Sequence, residues 1–311
     1  MKTNQHQKTR TALALVAGAL LSIPGVLQAQ PSAHYVPGVE GLKGASLPPP
    51  GFYLRDYNAF YFADRVNDSD GKKARGPAGE VDAEAFIYAN VPRLIWITDL
   101  QLLGGNIGVD ALLPLQYTDL KITGGPRPVN DGTFGIGDLF AETTWSKHIE
   151  KFDFSLGAGV WVPTGDSSPV FGTTRAGSGF WTAMLTAGAT WYVDADKLWA
   201  ISALNRYEFN SQKEGATYTP GQAYTLEWGI SRALSKTVDV GVVGYYQQQV
   251  TEDSGSGKTT PERDRVAAVG PEVNVFYPKF KLGWSLRYDY EFMAESRLQG
   301  HTVALTITKI F

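Results

Sequence analysis

From residue 51 onward, apolar and polar residues alternate with a period of two, segment after segment. In FKLGWSLRYDYEF, Phe280, Leu282, Trp284, Leu286, Tyr288, Tyr290 and Phe292 share one face. Lys281, Gly283, Ser285, Arg287, Asp289 and Glu291 share the other. FDFSLGAGVWV sorts Phe152, Phe154, Leu156, Ala158, Val160 and Val162 from Asp153, Ser155, Gly157, Gly159 and Trp161. Tyr224, Leu226, Trp228 and Ile230 separate in the same way from Thr225, Glu227, Gly229 and Ser231. Successive strand side chains point to opposite faces, so each segment reads as a strand with one greasy and one polar side. Twelve such segments follow one another, centred near residues 58, 90, 112, 140, 157, 186, 204, 228, 243, 271, 286 and 305.

The connections alternate in length. RVNDSDGKKARGPAGEVD, KITGGPRPVNDGT, TGDSSPVFGTTRAGS, NSQKEGATYTPG and TEDSGSGKTTPERD are long and polar. Those around Asp99, at KHIEK, at DADK, around Ser235 and at YPK are short, and the last outer loop, near AESRLQ, is shorter than this rule expects. A soluble sandwich or propeller has no reason to alternate its loops and keeps polar residues on its outer faces. A transmembrane barrel has short periplasmic turns, long outer loops, apolar residues toward lipid and polar ones inside. Trp145, Trp181, Trp191, Tyr277 and Tyr290 fall near strand ends on the apolar side, as interfacial girdles do. The pattern therefore predicts an all-β fold, an antiparallel up-and-down transmembrane barrel of about twelve strands over residues 51–311. The last strand, HTVALTITKIF, stops on Phe311 without a tail, as it can if it pairs with the first.

The amino terminus adds an address. MKTNQHQKTR is basic, ALALVAGALLSI is a short apolar run, and small residues follow, the layout of a secretory signal peptide over 1–29. Cleavage is expected after Ala29, with Ala33 as the second choice; the run is too short for a membrane anchor. Removing three of the 28 basic residues and none of the 31 acidic ones takes the formal net charge from -3 to -6, which leaves no electrostatic footprint for nucleic acid. With no cysteine, disulfides and thiolate metal sites are excluded. The expected location is the outer membrane, and the expected surroundings are its lipid and lipopolysaccharide.

The predicted interior is polar and of mixed sign. It includes Asp138, Glu142, Arg206, Glu227, Glu272, Asn274, Lys281, Arg287, Asp289 and Glu291, with Asp110 and Asp153. These charges either pair across the lumen and stiffen the barrel or line a permeation path. Trp161, Phe171, Tyr207, Tyr218 and Tyr245 are candidates to stack on aromatic permeants, Tyr207 and Tyr245 from within the lumen. Residues 30–50, with HYVPGVEGLKGASLPPPG, hold too many Gly and Pro to pair in a sheet and form either a lumenal plug or a periplasmic tether.

PGVEGLKGASLPPPGFYLRDYNAFY, FGIGDLFAETTW, VGPEVNVFYPKF and HTVALTITKIF together resemble the phenol-degradation meta-pathway (MetA/SphA-like) family of outer-membrane transporters, most densely at the start and at the GxGD and GPE stretches. The resemblance implies uptake of small hydrophobic or phenol-like compounds. It carries Asp138 and Glu272 over as family features, with pairing to Arg93, Arg206 or Arg287 as their alternative role. The aromatic end also resembles the signature that the barrel-assembly machinery reads at Phe311, from which Lys309 departs; Lys309 can snorkel to the periplasmic headgroups.

Other classes fit less well. A rim hydrolase needs a nucleophile beside a base; His34 is in the amino-terminal segment and His148 in a periplasmic turn, which leaves His301 near the outer end, with Ser296 close by in sequence. Asp68 and Asp70 before Gly71 form part of a calcium loop, but the required Glu does not follow. No cofactor is expected. An autotransporter is set aside because no passenger precedes the strands, and a structural or adhesive barrel without a conducting pore remains the alternative.

Overall fold

The computed structural model describes residues 33–76, 79–125, 128–168, 173–258 and 262–311. The expected signal peptide, residues 30–32 and Phe171 lie outside them.

Twelve antiparallel strands form one closed sheet. They are β1 (Gly51–Val66), β2 (Asp82–Leu102), β3 in two pieces (Gly105–Leu112 and Leu115–Thr123) and β4 in two pieces (Val129–Ile136 and Leu139–Ile149). Then come β5 (Phe152–Val162), β6 (Thr182–Tyr192), β7 (Trp199–Asn210), β8 (Ala223–Ser235), β9 (Val238–Gln249), β10 (Arg265–Tyr277), β11 (Leu282–Glu295) and β12 (Leu298–Ile310). Each pairs with its neighbours in sequence, and β12 closes on β1 from Tyr53↔Ile310 to Val66↔Leu298. Closure leaves no edge in the wall except along Val129–Ile136, the first piece of β4, which pairs only with β3; a closed sheet is the one way strands satisfy their backbone in hydrocarbon. Phe311 N–H then donates to the Phe52 carbonyl at 3.1 Å.

The faces follow the predicted parity. On β11, Leu286, Tyr290 and Phe292 are exposed while Arg287, Asp289 and Glu291 are buried. Exposed Leu94, Leu156, Leu185 and Val242 continue the apolar band around the barrel. Phe52 stacks on Trp96 at the end bearing the short turns, with Trp191, Trp199 and Tyr277 also exposed there. Trp181, Tyr290 and Phe292 ring the other end. An apolar belt between two aromatic girdles is the outer surface of an outer-membrane barrel, and that membrane is where this chain resides. Lys309, also facing outward, donates from Nζ to the Phe280 carbonyl at 2.7 Å.

Two sequence expectations shift. The turn expected around Asp99 lies at Leu103–Gly104, where both residues take positive φ (52° and 75°), the conformation that two-residue hairpin turns demand. Lys281, expected in the lumen, is exposed in the turn after Pro278, with φ 47°. The 3-10 turn at Pro278–Phe280 delays β11 to Leu282, so the parity that put Lys281 inside does not reach it.

One break in the wall positions a functional side chain. Pro114 offers no N–H to a ladder, so β3 divides there, and β4 divides opposite it at Gly137 and Asp138. Gly137 N–H donates to the Pro114 carbonyl at 2.7 Å, bridging the two breaks. β5 pairs only with the second piece of β4, reaching Leu139↔Val162. Asp138 thus stands at the inner edge of the break, free to bind something other than the ladder.

Candidate functional site in the barrel lumen

Residues 33–47 run inside the barrel, from near the outer ends of β6 and β7 toward the periplasmic end where β1 begins. Such a Gly- and Pro-rich strip cannot join the sheet, yet its buried N–H groups need acceptors. Wall carboxylates supply them. Glu208 Oε1 accepts the N–H groups of His34 and Tyr35 at 3.1 and 2.9 Å. Glu227 Oε1 accepts that of Glu40 at 3.0 Å, and Glu272 Oε2 that of Leu42 at 3.0 Å. Lower down, Ala45 N–H donates to Ser202 Oγ and Ser46 Oγ to Thr190 Oγ1. The strip's carbonyls are met by cations and amides: Arg287 donates to the Gly38 and Val39 carbonyls, and Gln247 Nε2 to that of Tyr35. Gly41 lets Glu272 approach this closely, since a Cβ there would stand 1.8 Å from Glu272 Oε2.

Around the strip the charges pair. Arg93 forks onto Asp110 at 2.8 and 3.0 Å, donates to Glu40 at 2.8 Å and reaches Glu142 at 3.5 Å. Glu40 also accepts from Arg55 and from the Tyr57 hydroxyl. Burial opposes the Glu40 charge, but Arg55, Arg93 and Arg206 outweigh it and hold the carboxyl down at about 2, so it stays ionised at neutral pH. Arg206 pairs with Glu227, and Arg287 with Asp289 at 3.0 Å and Glu272 at 3.7 Å. Glu291 accepts the hydroxyls of Tyr245 and Tyr61. Asp153 takes His148 and Tyr192 as partners.

Of the residues expected inside, Glu142, Arg206, Glu227, Tyr245, Glu272, Asn274, Arg287, Asp289 and Glu291 meet around this strip or in its immediate surround. Asp138 is buried with them, but its partner is His34 Nε2 at 2.9 Å rather than an arginine, and it also accepts the N–H groups of Gly165 and Ser178. Tyr207 is not lumenal: it shares the outward parity of Ile201 and Phe209, and its hydroxyl bonds Gln222. Tyr218 is half-buried in an outer loop. His301 packs between Phe62 and Tyr288, while Ser296 Oγ bonds Glu262, so they do not form a Ser–His pair. Asp68 Oδ1 accepts the N–H groups of Asp70 and Lys72, and Asp70 pairs with Lys72, a closed turn rather than a calcium loop. Among the described residues no cluster of three or more His, Cys, Asp or Glu is set to hold a metal.

Sequence reasoning missed His34, Tyr35, Glu40 and Glu208. The first two belong to a packed aromatic cluster in the outer half of the lumen. The His34 ring stacks on Trp161 (centroids 4.6 Å apart) and meets Phe180 edge-on at 5.2 Å, and Trp161 packs on Phe140 at 4.7 Å. Toward the periplasm the strip borders a cavity of about 370 Å³ lined by charged groups such as Arg55, Lys236 and Asp239 and by apolar ones such as Leu42, Leu47 and Ile95.

The fold matches solved outer-membrane barrels. The COG4313 outer membrane channel from Pseudomonas putida F1 superposes with a TM-score of 0.76 at 14% identity, over 89% of this chain and 100% of that one. The translocator domain of the autotransporter NalP from Neisseria meningitidis (TM-score 0.48, 14% identity, 87% of this chain and 92% of that one) and the CymD monoaromatic hydrocarbon channel (0.43, 11%, 85% and 89%) are more distant. Among curated proteins none matches this sequence. The family model described as "Putative MetA-pathway of phenol degradation" matches residues 63–307, leaving the lumenal strip and β1 up to Phe62 outside the match. With most of its length inside that match, the chain belongs to this phenol-degradation family.

Proposed function

We propose that this protein is an outer-membrane channel for the uptake of small hydrophobic or aromatic, phenol-like compounds, and that residues 33–50 are its plug rather than a periplasmic tether. The observation that carries this reading is the composition of the lumen along its length. A packed aromatic cluster stands toward the outer mouth, and a cavity lined by both charged and apolar side chains stands toward the periplasm. Offset and edge-on ring contacts contribute roughly 0.5–1.5 kcal/mol each, enough to bind a small aromatic transiently without trapping it. The similar solved structure named as an outer membrane channel, and the family's place in phenol degradation, support the same reading. The buried carboxylates serve as acceptors for the strip and as ion-pair partners for the lumenal arginines. Phe311, 68% exposed at the periplasmic rim, is assigned as the contact for the barrel-assembly machinery, and the outer girdle as the contact for lipopolysaccharide.

The mature protein in liposomes is expected to raise the flux of phenol above that of a protein-free control by a larger factor than it raises the flux of a sugar of similar size. An equal or smaller factor for phenol defeats the aromatic assignment.

A further inference from the structure

The plug carries a phenol of its own. The Tyr35 ring lies 4.1 Å from the Arg206 guanidinium carbon, stacked as a cation–π pair, and its hydroxyl donates to Glu227 Oε2 at 2.8 Å. Leu112, Phe140, Trp161 and Met184 close around it. Burial pushes the hydroxyl well above its usual pKa, so the ring stays a neutral phenol. Beside it the His34 ring fills a slot between Trp161 and Phe180, with Thr182 Oγ1 at one nitrogen and Asp138 at the other. Two planar rings of the plug therefore sit in two adjacent ring-shaped sites, each with polar groups at the edge. Two wall atoms at this level, Trp161 Nε1 and Glu208 Oε2, are buried and hydrogen-bond to no described residue.

We propose that the pocket formed by Arg206, Glu227 and the surrounding apolar side chains is the binding site for hydroxylated monoaromatic permeants, and that Tyr35 is its tethered occupant, displaced when a free phenol enters. This rests on the uptake reading above and names its site. The free ring lies beneath Arg206 and donates its hydroxyl to Glu227, as Tyr35 does. Glu227 and Glu208 repel a carboxylated ring, which makes neutral phenols the ligand class and benzoates poor ones. A tethered ring competes at an effective concentration on the order of millimolar, so free phenol binds the intact protein with reduced apparent affinity. Entry of the permeant thereby loosens the plug at its outer end.

The test is fluorine NMR of 4-fluorophenol and 4-fluorobenzoate with the mature protein in lipid nanodiscs. It compares wild type, Tyr35→Ala and Tyr35→Ala with Glu227→Ala, with folding of each confirmed by its gel-shift on heating. Tyr35 lies outside the strands, so its replacement leaves the barrel ladder intact. The Tyr35→Ala protein is expected to bind 4-fluorophenol about tenfold more tightly than wild type, to show no such gain for 4-fluorobenzoate, and to lose the gain when Glu227 is also replaced. Should the double variant not fold, the phenol-to-benzoate contrast in Tyr35→Ala decides alone. Equal affinity of wild type and Tyr35→Ala for 4-fluorophenol, or an equal gain for both ligands, overturns the proposal. If wild type carries phenol across liposomes but Tyr35→Ala binds no tighter, this site assignment fails and the uptake reading stands. If neither protein binds or carries phenols, both fall.

Discussion

A mature protein that begins at Gly51 is expected to conduct several-fold more current in planar bilayers than the protein carrying residues 33–50, and to favour cations. The reason lies in what the strip satisfies. Its removal takes away the N–H groups that Glu208, Glu227 and Glu272 accept, and the carbonyls that Arg287 and Gln247 reach. It also removes Glu40, the acid that Arg55 and Arg93 share. The emptied lumen fills with water, and several wall carboxylates then face it without their former donors. The wall itself is not at risk, because the twelve strands pair with one another and not with the strip. Single-channel recording of the two proteins side by side checks this; equal conductance means the strip does not obstruct the lumen.

The second large effect is expected at Arg93. Its guanidinium is buried and holds Glu40, Asp110 and Glu142 at once. Replacing it with methionine keeps much of the stem and leaves three carboxylates crowded in the barrel without their shared cation. Breaking a buried pair by removing one partner costs about 3–5 kcal/mol, because the charge left behind is uncompensated. Guanidinium unfolding in detergent should show that loss as a lower midpoint with an unchanged slope. Lys72→Ala, which removes an exposed outer-loop partner of Asp70, is the control and should leave the midpoint where it is. An Arg93→Met protein as stable as wild type contradicts the view that the lumenal network stiffens the barrel.

The barrel was legible because lipid and lumen impose opposite demands on alternate residues. Each of the twelve segments declared its faces, and the outer-facing Leu286 and inner-facing Arg287 are neighbours that fall where parity puts them. Parity also shows why Tyr207 was misplaced: it adjoins the inward Arg206, and two adjacent strand residues cannot both enter the lumen. Lys281 failed for a different reason, since alternation has no force until a strand begins, and Pro278 postpones that beginning.

The strip inside the barrel was harder to read. Nothing in HYVPGVEGLKG repeats with a strand or helix period, and apart from Asp138 and the partners of Glu40 the residues it bonds lie far away in sequence. One signal was present. The inward positions Glu208, Glu227 and Glu272 are acids in excess of the bases beside them, and a Gly-rich segment is a ready source of N–H groups to neutralise them. Of the three arginines offered as alternative partners for Glu272 and Asp138, Arg287 lies beside Glu272, whereas Asp138 pairs with His34, because the break at Pro114 and Gly137 aims it at the strip.

The most direct measurement uses the absence of cysteine from the natural sequence. A Cβ placed at Gly188 would stand 2.8 Å from that of Ala45 and 2.5 Å from Leu204 Cδ1, so a disulfide forms there once the Leu204 side chain turns aside and the strip shifts to the usual span of about 3.8 Å. With Ala45→Cys and Gly188→Cys together, the oxidised protein should carry little phenol and little current in liposomes and bilayers, and reduction by dithiothreitol should restore both. Unchanged passage of phenol through the oxidised, cross-linked protein would contradict a lumen route opened by movement of the strip.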